Sequence, residues 1–212
     1  MFVPHVEQVG GFSFVSTPYQ LSHENTFELA IKKSVKSKVV AYIHDQLQIN
    51  DPLFFRTGGN FRYHASPRNV LFLAGGVGIT PLFSMIQHLL ETQVPIQISL
   101  LYSVKKEKEL LFRERIDVLK IKHPNLRVAY FCTDEGVPSS SLNQFRIQNE
   151  HVKNAIKILD PTLGLQGGKV VEKMKDEKKN VNAYICGPPE FEAAMLNHLQ
   201  DEPVTIYHEK WW

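Results

Sequence analysis

Residues 69–81 read Asn69-Val70-Leu71-Phe72-Leu73-Ala74-Gly75-Gly76-Val77-Gly78-Ile79-Thr80-Pro81. Val70 to Ala74 is an unbroken apolar run, the pattern of a strand covered on both faces. Pro81 to Leu90 follows with apolar residues at Leu82, Phe83, Met85, Ile86, Leu89 and Leu90, which is helical spacing. The glycines therefore stand at a strand-to-helix junction, the ligand-facing edge of a parallel α/β sheet. Without a Cβ, backbone amides there can approach a bulky anion. Thr80 suits an N-cap and Pro81 a first helical position. The helix N-terminus would offer donors and a positive dipole end to a pyrophosphate. A tight turn with no ligand would use the same residues, and the spacing is not Gly-x-Gly-x-x-Gly, because Pro81 stands where the third glycine would be.

Outward from this junction toward the C-terminus, strands and helices alternate. Strands are expected at Ile96–Tyr102, Leu126–Cys132, Ala183–Cys186 and Thr205–Tyr207, and helices at Leu110–Lys122 and Glu190–Leu199. Such alternation implies a parallel sheet joined by right-handed crossovers. Residues 133–168 interrupt it with a polar, turn-rich stretch that reads as a flap or an insertion, holding at most a short helix over Val152–Leu159. Toward the N-terminus the texture changes to short β-prone runs at Phe12–Ser16, Phe27–Lys32, Val39–Ile43 and Leu53–Thr57. Turn residues separate them, as in an antiparallel sheet or part of a barrel, and the one helical period there is a short turn around Val40 to Gln46.

Bulk chemistry excludes several classes of function. Twenty-four basic residues against 22 acidic ones leave a net charge of +2, too little to drive the chain onto nucleic acid or an anionic membrane. Lys32, Lys33, Lys36 and Lys38 form a local cluster that a solvated surface explains. The longest apolar stretch, Val70 to Leu82, is glycine-broken and shorter than the roughly 18 residues of a membrane helix. No Cys or His spacing matches a metal site. Two cysteines, Cys132 and Cys186, make no disulfide framework, which suits an intracellular, soluble protein. Met1 to Glu7 has no presequence or signal-peptide character.

A second motif stands at a later strand end, Tyr184-Ile185-Cys186-Gly187-Pro188-Pro189. The Gly-Pro-Pro run sets a rigid turn beside the same sheet edge. Cys186 lies there either as a small buried strand-end residue, the common fate of a thiol, or as a residue flanking a nicotinamide. No base stands near it in sequence to make it a nucleophile.

Together, Gly75-Gly76-Val77-Gly78-Ile79-Thr80-Pro81 and Cys186-Gly187-Pro188-Pro189 resemble the two dinucleotide signatures of the ferredoxin-NADP reductase superfamily. Gly10-Gly11-Phe12-Ser13-Phe14-Val15-Ser16-Thr17-Pro18 is similar to its flavin-strand segment, and the resemblance runs over most of the chain. It implies an α/β nucleotide-binding domain over 67–212, a parallel sheet with helices on both faces and a polar insertion at about 133–168. Residues 1–66 would form a partial antiparallel β-barrel of the flavin-reductase type that binds FAD. The activity implied is a flavin-dependent NAD(P)H oxidoreductase (hydride from NADH or NADPH to FAD, then electrons to an acceptor). The alternative is a non-catalytic NAD(P)-binding module that has lost flavin. Gly75, Gly76, Val77, Gly78, Ile79 and Thr80 would hold the pyrophosphate, Cys186 and Gly187 would flank the nicotinamide, and Phe12 and Ser13 would contact FAD. Trp212, after Trp211, would stack on a ring or clasp the last strand.

Three departures bear on the flavin half. Gly10 and Phe12 replace the arginine and tyrosine of the superfamily's Arg-x-Tyr-Ser, which removes a cation and a hydroxyl. Its Gly-x-x-Ser turn is unmatched at Ser37-Lys38-Val39-Val40. The resemblance also sets Met1 within a middle strand, so the first strands, and any mitochondrial presequence of a longer form, would lie upstream. Lys105 and Lys106, after the second strand, suit a 2′-phosphate or simply open a solvated helix.

Overall fold

A computed structural model describes residues 1–3, 6–34, 36–134, 142, 143, 145–164 and 179–209. Among these residues five parallel strands form a sheet: β1 (Asn69–Gly75), β2 (Ile98–Val104), β3 (Leu126–Cys132), β4 (Val181–Cys186) and β5 (Val204–His208). Their order is β3-β2-β1-β4-β5. Neighbours pair in register, Leu73 with Leu101 on one side and with Ile185 on the other. The chain reverses its direction of travel across the sheet between β1 and β4. The carboxyl ends of these two strands therefore flank the crevice where open α/β sheets take ligands.

The strand period of two splits the apolar residues into two layers. Val70, Phe72 and Ala74 of β1 pack with Tyr102 and Tyr184 beneath α3 (Ile79–Glu91), while Ile116 joins them from α4 (Arg113–Lys122). Leu71 and Leu73 face α5 (Asn149–Leu159) and α6 (Pro189–Leu199) with Val152, Ile156, Met195 and Leu199. Helices cover both faces, as expected from the apolar continuity of β1. Burying side chains the size of Phe72 and Tyr184 contributes on the order of 1.5–3 kcal/mol each.

Two details differ from expectation in this half. Thr80 is not an N-cap: a 3₁₀ turn over Gly76–Gly78 leads directly into α3, whose cap is Gly78. Thr80 Oγ1 instead donates to the Val77 carbonyl at 2.7 Å, tying the loop to the first turn. The stretch read as a polar insertion contains α5, whose Val152, Ala155, Ile156 and Leu159 are buried, so this helix serves as the crossover from β3 to β4. The short helix expected over Val152–Leu159 is thus present and begins three residues earlier, at Asn149.

The partial barrel expected over 1–66 is not observed. Among the described residues this region holds isolated antiparallel bridges, Phe2 with Phe54, Val3 with Val6, and Phe14 with Leu29. Val39–Ile43, read as a strand, lies in α2 (Lys38–Asp45). Ser37 caps that helix through the Val40 N–H, and Val39, Val40 and Ile43 turn one apolar face inward. A further helix, α1 (Pro18–Glu24), follows a Thr17/Gln20 capping box with proline in its first turn. A small core of Met1, Val3 and Val39 holds these pieces together. Polar ties fix them to α3: Gln87 Nε2 donates to the Val15 carbonyl and Ser84 Oγ to the Ser16 carbonyl, both at 2.8 Å. Arg115 on α4 reaches back to the Glu28 carboxylate at 2.9 Å.

Candidate functional site

The two glycine motifs meet at the carboxyl ends of β1 and β4. Gly76 has φ +54°, a left-handed conformation that turns the chain off β1 into the 3₁₀ turn. Gly78 backs onto the β4 turn: a Cβ there would overlap the Cys186 carbonyl and stand 2.7 Å from the Gly187 nitrogen. The loop from β1 and the loop from β4 therefore touch backbone to backbone. Phe191, in the first turn of α6, lies over both Gly75 and Gly187. Gly78 and Gly187, 109 positions apart in sequence, form one floor. At the start of α3 the Ile79 N–H closes on the Gly76 and Val77 carbonyls, and the positive end of the helix dipole faces this junction.

A pocket of about 270 Å³ opens on this floor. Gly75, Val77, Gly78 and Thr80 line one side, Gly187 and Pro188 another, and Gly11, Phe12, Ser13 and Lys32 the wall facing them. Val77 is exposed at the rim, whereas Ile79 and Thr80 are buried beneath it. Phe12 and Ser13, expected near a flavin, thus stand opposite the glycine loop. Lys32, which sequence reading assigned to a solvated cluster, lines the same wall. Nothing in its local sequence marked it, because only the approach of the N-terminal segment to α3 brings it there.

Cys186 takes the buried alternative. Its side chain is 0% exposed and packs in the α3-side core, and only its backbone reaches the floor. Cys132, at the end of β3, is also buried, and neither cysteine forms a disulfide. Burial, and then the nearby Glu107 carboxylate, push the Cys132 thiol up, which makes it a poor nucleophile. Trp212 lies outside the described residues.

A second, larger cavity of about 930 Å³ adjoins the pocket on the N-terminal side of α3 and shares Gly11, Phe12, Ser13 and Pro81 with it. Its walls include Phe14, Phe55, Phe61, Tyr63 and His88, with Arg56, Arg62 and Glu209 as charged side chains and the Met1 amino group donating to the Gly10 carbonyl at 2.7 Å. Burial pushes the Glu209 carboxyl up from its ordinary range. Position 10 gives this cavity no side chain and has no room for one: a Cβ on Gly10 would lie 2.5 Å from Phe12 Cε2 and 2.9 Å from Val39 Cγ1. The Phe12 ring folds inward over Gly10 and joins the small core.

At the carboxyl end of β2, Lys106 pairs with Asp134 at 3.4 Å, and Arg113 pairs with Glu107 and lies over the Tyr130 ring. Lys105 and Lys106 precede a 3₁₀ turn over Glu107–Glu109 rather than opening α4 itself. Among the described residues no cluster of His, Cys, Asp and Glu could hold a metal ion, and no helix is long and apolar enough to cross a membrane.

A family model described as "Oxidoreductase NAD-binding domain" matches residues 72–197, from within β1 to within α6. The chain is 29% identical to oxidoreductase NAD-binding domain-containing protein 1 of Danio rerio, over all of this chain and 78% of that protein. It is 32% identical to the Homo sapiens protein of the same name, over all of this chain and 68% of that one. Among solved structures, the flavohem-like FAD/NAD-binding domain of nitric oxide dioxygenase from Vibrio cholerae superposes with a TM-score of 0.63 at 18% identity. That alignment covers 86% of this chain and 70% of the other, a likeness of fold.

Proposed function

The chain belongs to the oxidoreductase NAD-binding domain family, and from that premise we propose that it binds NADH on the floor between β1 and β4 and passes hydride to FAD. The observation that carries this reading is the backbone contact of Gly78 with Cys186 and Gly187 at the topological switch point, under a pocket walled by Phe12, Ser13 and Lys32. The α3 first-turn amides and the positive end of its dipole would hold the pyrophosphate. Gly187 and Pro188 would set the nicotinamide against the wall made by Gly11 to Ser13. Apolar lining from Val77, Pro81 and Pro188 would keep water from the transferred hydride. The Lys32 ammonium would add a cation beside the nucleotide phosphates.

FAD is tested against the adjoining cavity. About 930 Å³ with aromatic walls falls within the range of sites for large organic ligands, and the residues present fit it. Bound there, a flavin supplies a two-electron acceptor for the hydride leaving nicotinamide C4. Phe12 and Ser13 line both spaces, so they mark the boundary at which the two rings would have to come into direct contact. At the end of β2 Lys106 is countered by Asp134 and Arg113 by Glu107, so a 2′-phosphate of NADPH would fall to Lys105.

The test is NADH-driven reduction of a dye by the full chain supplied with FAD. Turnover that depends on both FAD and NADH supports the reading. A folded, colourless protein that never reduces the dye with FAD present would refute it. One observation favours the non-catalytic alternative: the closure of position 10 by the Phe12 ring, which removes the superfamily's arginine. Calorimetric binding of NADH with no binding of FAD would select that reading.

A further inference from the structure

The flavin reading leaves a charge unaccounted for, since Gly10 gives no cation and the inward Phe12 ring bars any side chain from that position. Positive charge reaches the cavity from elsewhere. Arg56 and Arg62 both line it, on the run from Phe55 to Tyr63. Both are exposed, and among the described residues neither guanidinium has a hydrogen bond, an ion pair or a ring beneath it. By contrast, Arg113 and Arg115 are paired with Glu107 and Glu28, and Arg68 donates to Thr205. Glu209 is the acidic group on the same wall; burial raises its carboxyl pKa, and it pairs with neither arginine.

Two guanidiniums without partners on an aromatic-walled cavity match a ligand with a planar ring system and a phosphate. The aromatic side chains suit the rings. The planar forks of Arg suit phosphate oxygens, which they can grip in pairs. We propose that Arg56 and Arg62 hold the phosphate end of a flavin nucleotide in this cavity, replacing the cation that position 10 cannot carry. The assignment rests on the flavin reading of the preceding subsection. It moves the phosphate contact from position 10 to the run from Phe55 to Tyr63.

The test is equilibrium binding of riboflavin, FMN and FAD to the full chain, followed by quenching of flavin fluorescence, for wild type, Arg56→Gln, Arg62→Gln and the double variant. FMN differs from riboflavin only by its phosphate. Wild type should bind FMN and FAD at least tenfold more tightly than riboflavin, and the preference should shrink as salt rises from 50 to 200 mM. The double variant should lose tenfold or more for FMN and FAD while its riboflavin affinity stays within about twofold. Unchanged riboflavin binding also reports that the variant cavity is intact. If flavins bind but the variants keep the full phosphate preference, the arginine assignment is overturned and the flavin reading survives. Equal loss for riboflavin and FMN would likewise overturn it, by showing a structural role for the arginines. If no flavin binds to wild type while NADH does, the flavin reading falls and the assignment with it.

Discussion

Gly78→Ala is the sharpest perturbation of the proposed site. The added methyl would overlap the Cys186 carbonyl, and the Gly187 nitrogen would have to retreat from 2.7 Å to about 3.4 Å for ordinary contact. Both obstacles are backbone, held by β4 and by the Gly-Pro-Pro turn, so no side chain can rotate away. Overpacking of this kind costs roughly 1–3 kcal/mol, and the backbone character of the clash places Gly78→Ala at the upper end. Whatever part of the strain is relieved by parting the loops displaces the α3 amides from the β4 turn. A tenfold or greater loss of NADH affinity, about 1.4 kcal/mol, should accompany it. Gly76→Ala is the internal control. Its φ of +54° makes alanine cost about 1–2 kcal/mol, yet nothing lies within 4 Å of the new methyl. Urea unfolding and NADH calorimetry on the three proteins measure both effects. The reasoning is refuted if Gly78→Ala keeps the wild-type midpoint and NADH affinity, or if Gly76→Ala proves the more damaging change.

Three further predictions concern the frame around the site. Tyr184 is fully buried, its phenol pushed up to about 12 by burial, and its oxygen accepts the His64 N–H at 3.0 Å. Tyr184→Phe strands that donor and should cost roughly 1–3 kcal/mol in urea unfolding, whereas a change below about 0.3 kcal/mol would contradict the role. Glu192, with its side chain 3% exposed, pairs with His208 Nδ1 at 2.5 Å. His208→Ala should cost roughly 1–2 kcal/mol, and adding Glu192→Gln should recover part of it; strict additivity would argue against the pair. Burial raises Asp160, but hydrogen bonds from the Thr162 hydroxyl, the Asn180 amide and the Thr162 N–H outweigh it and hold the carboxyl below its ordinary 3.8. A lowered folded-state value contributes stability above 3.8 that is lost as pH falls through the lower value. The advantage of wild type over Asp160→Asn should therefore be full at pH 7 and shrink below about pH 4; a constant difference across that range would count against it.

The α/β half was legible because its signals are local. The apolar runs of β1 and β3, the helical spacing after Pro81 and the glycines between them each specify one element without reference to the others. Strand order and the meeting of Gly78 with Gly187 were not local, yet alternation and switch-point logic pointed to the same edge. The N-terminal half misled because β-branched Val39 and Val40 read as strand by composition. Ser37 and the Val39/Ile43 spacing, a weaker helical signal, prevailed once packing against Met1 and Val3 was available. The Thr17-x-x-Gln20 capping box before α1 is a local helix-start signal that the surrounding β-prone runs obscure. Lys32, Arg56 and Arg62 could not have been found from their neighbours, since what distinguishes them is the cavity they face.

The central claim, a dinucleotide held where the two glycine loops touch, is tested most directly by a crystal structure of the full chain with saturating NADH. The diphosphate should lie against the loop and first helical turn over Val77 to Thr80, with the nicotinamide between Gly187 and Ser13. A diphosphate bound elsewhere on the chain, or this loop bare while NADH is bound, would contradict it.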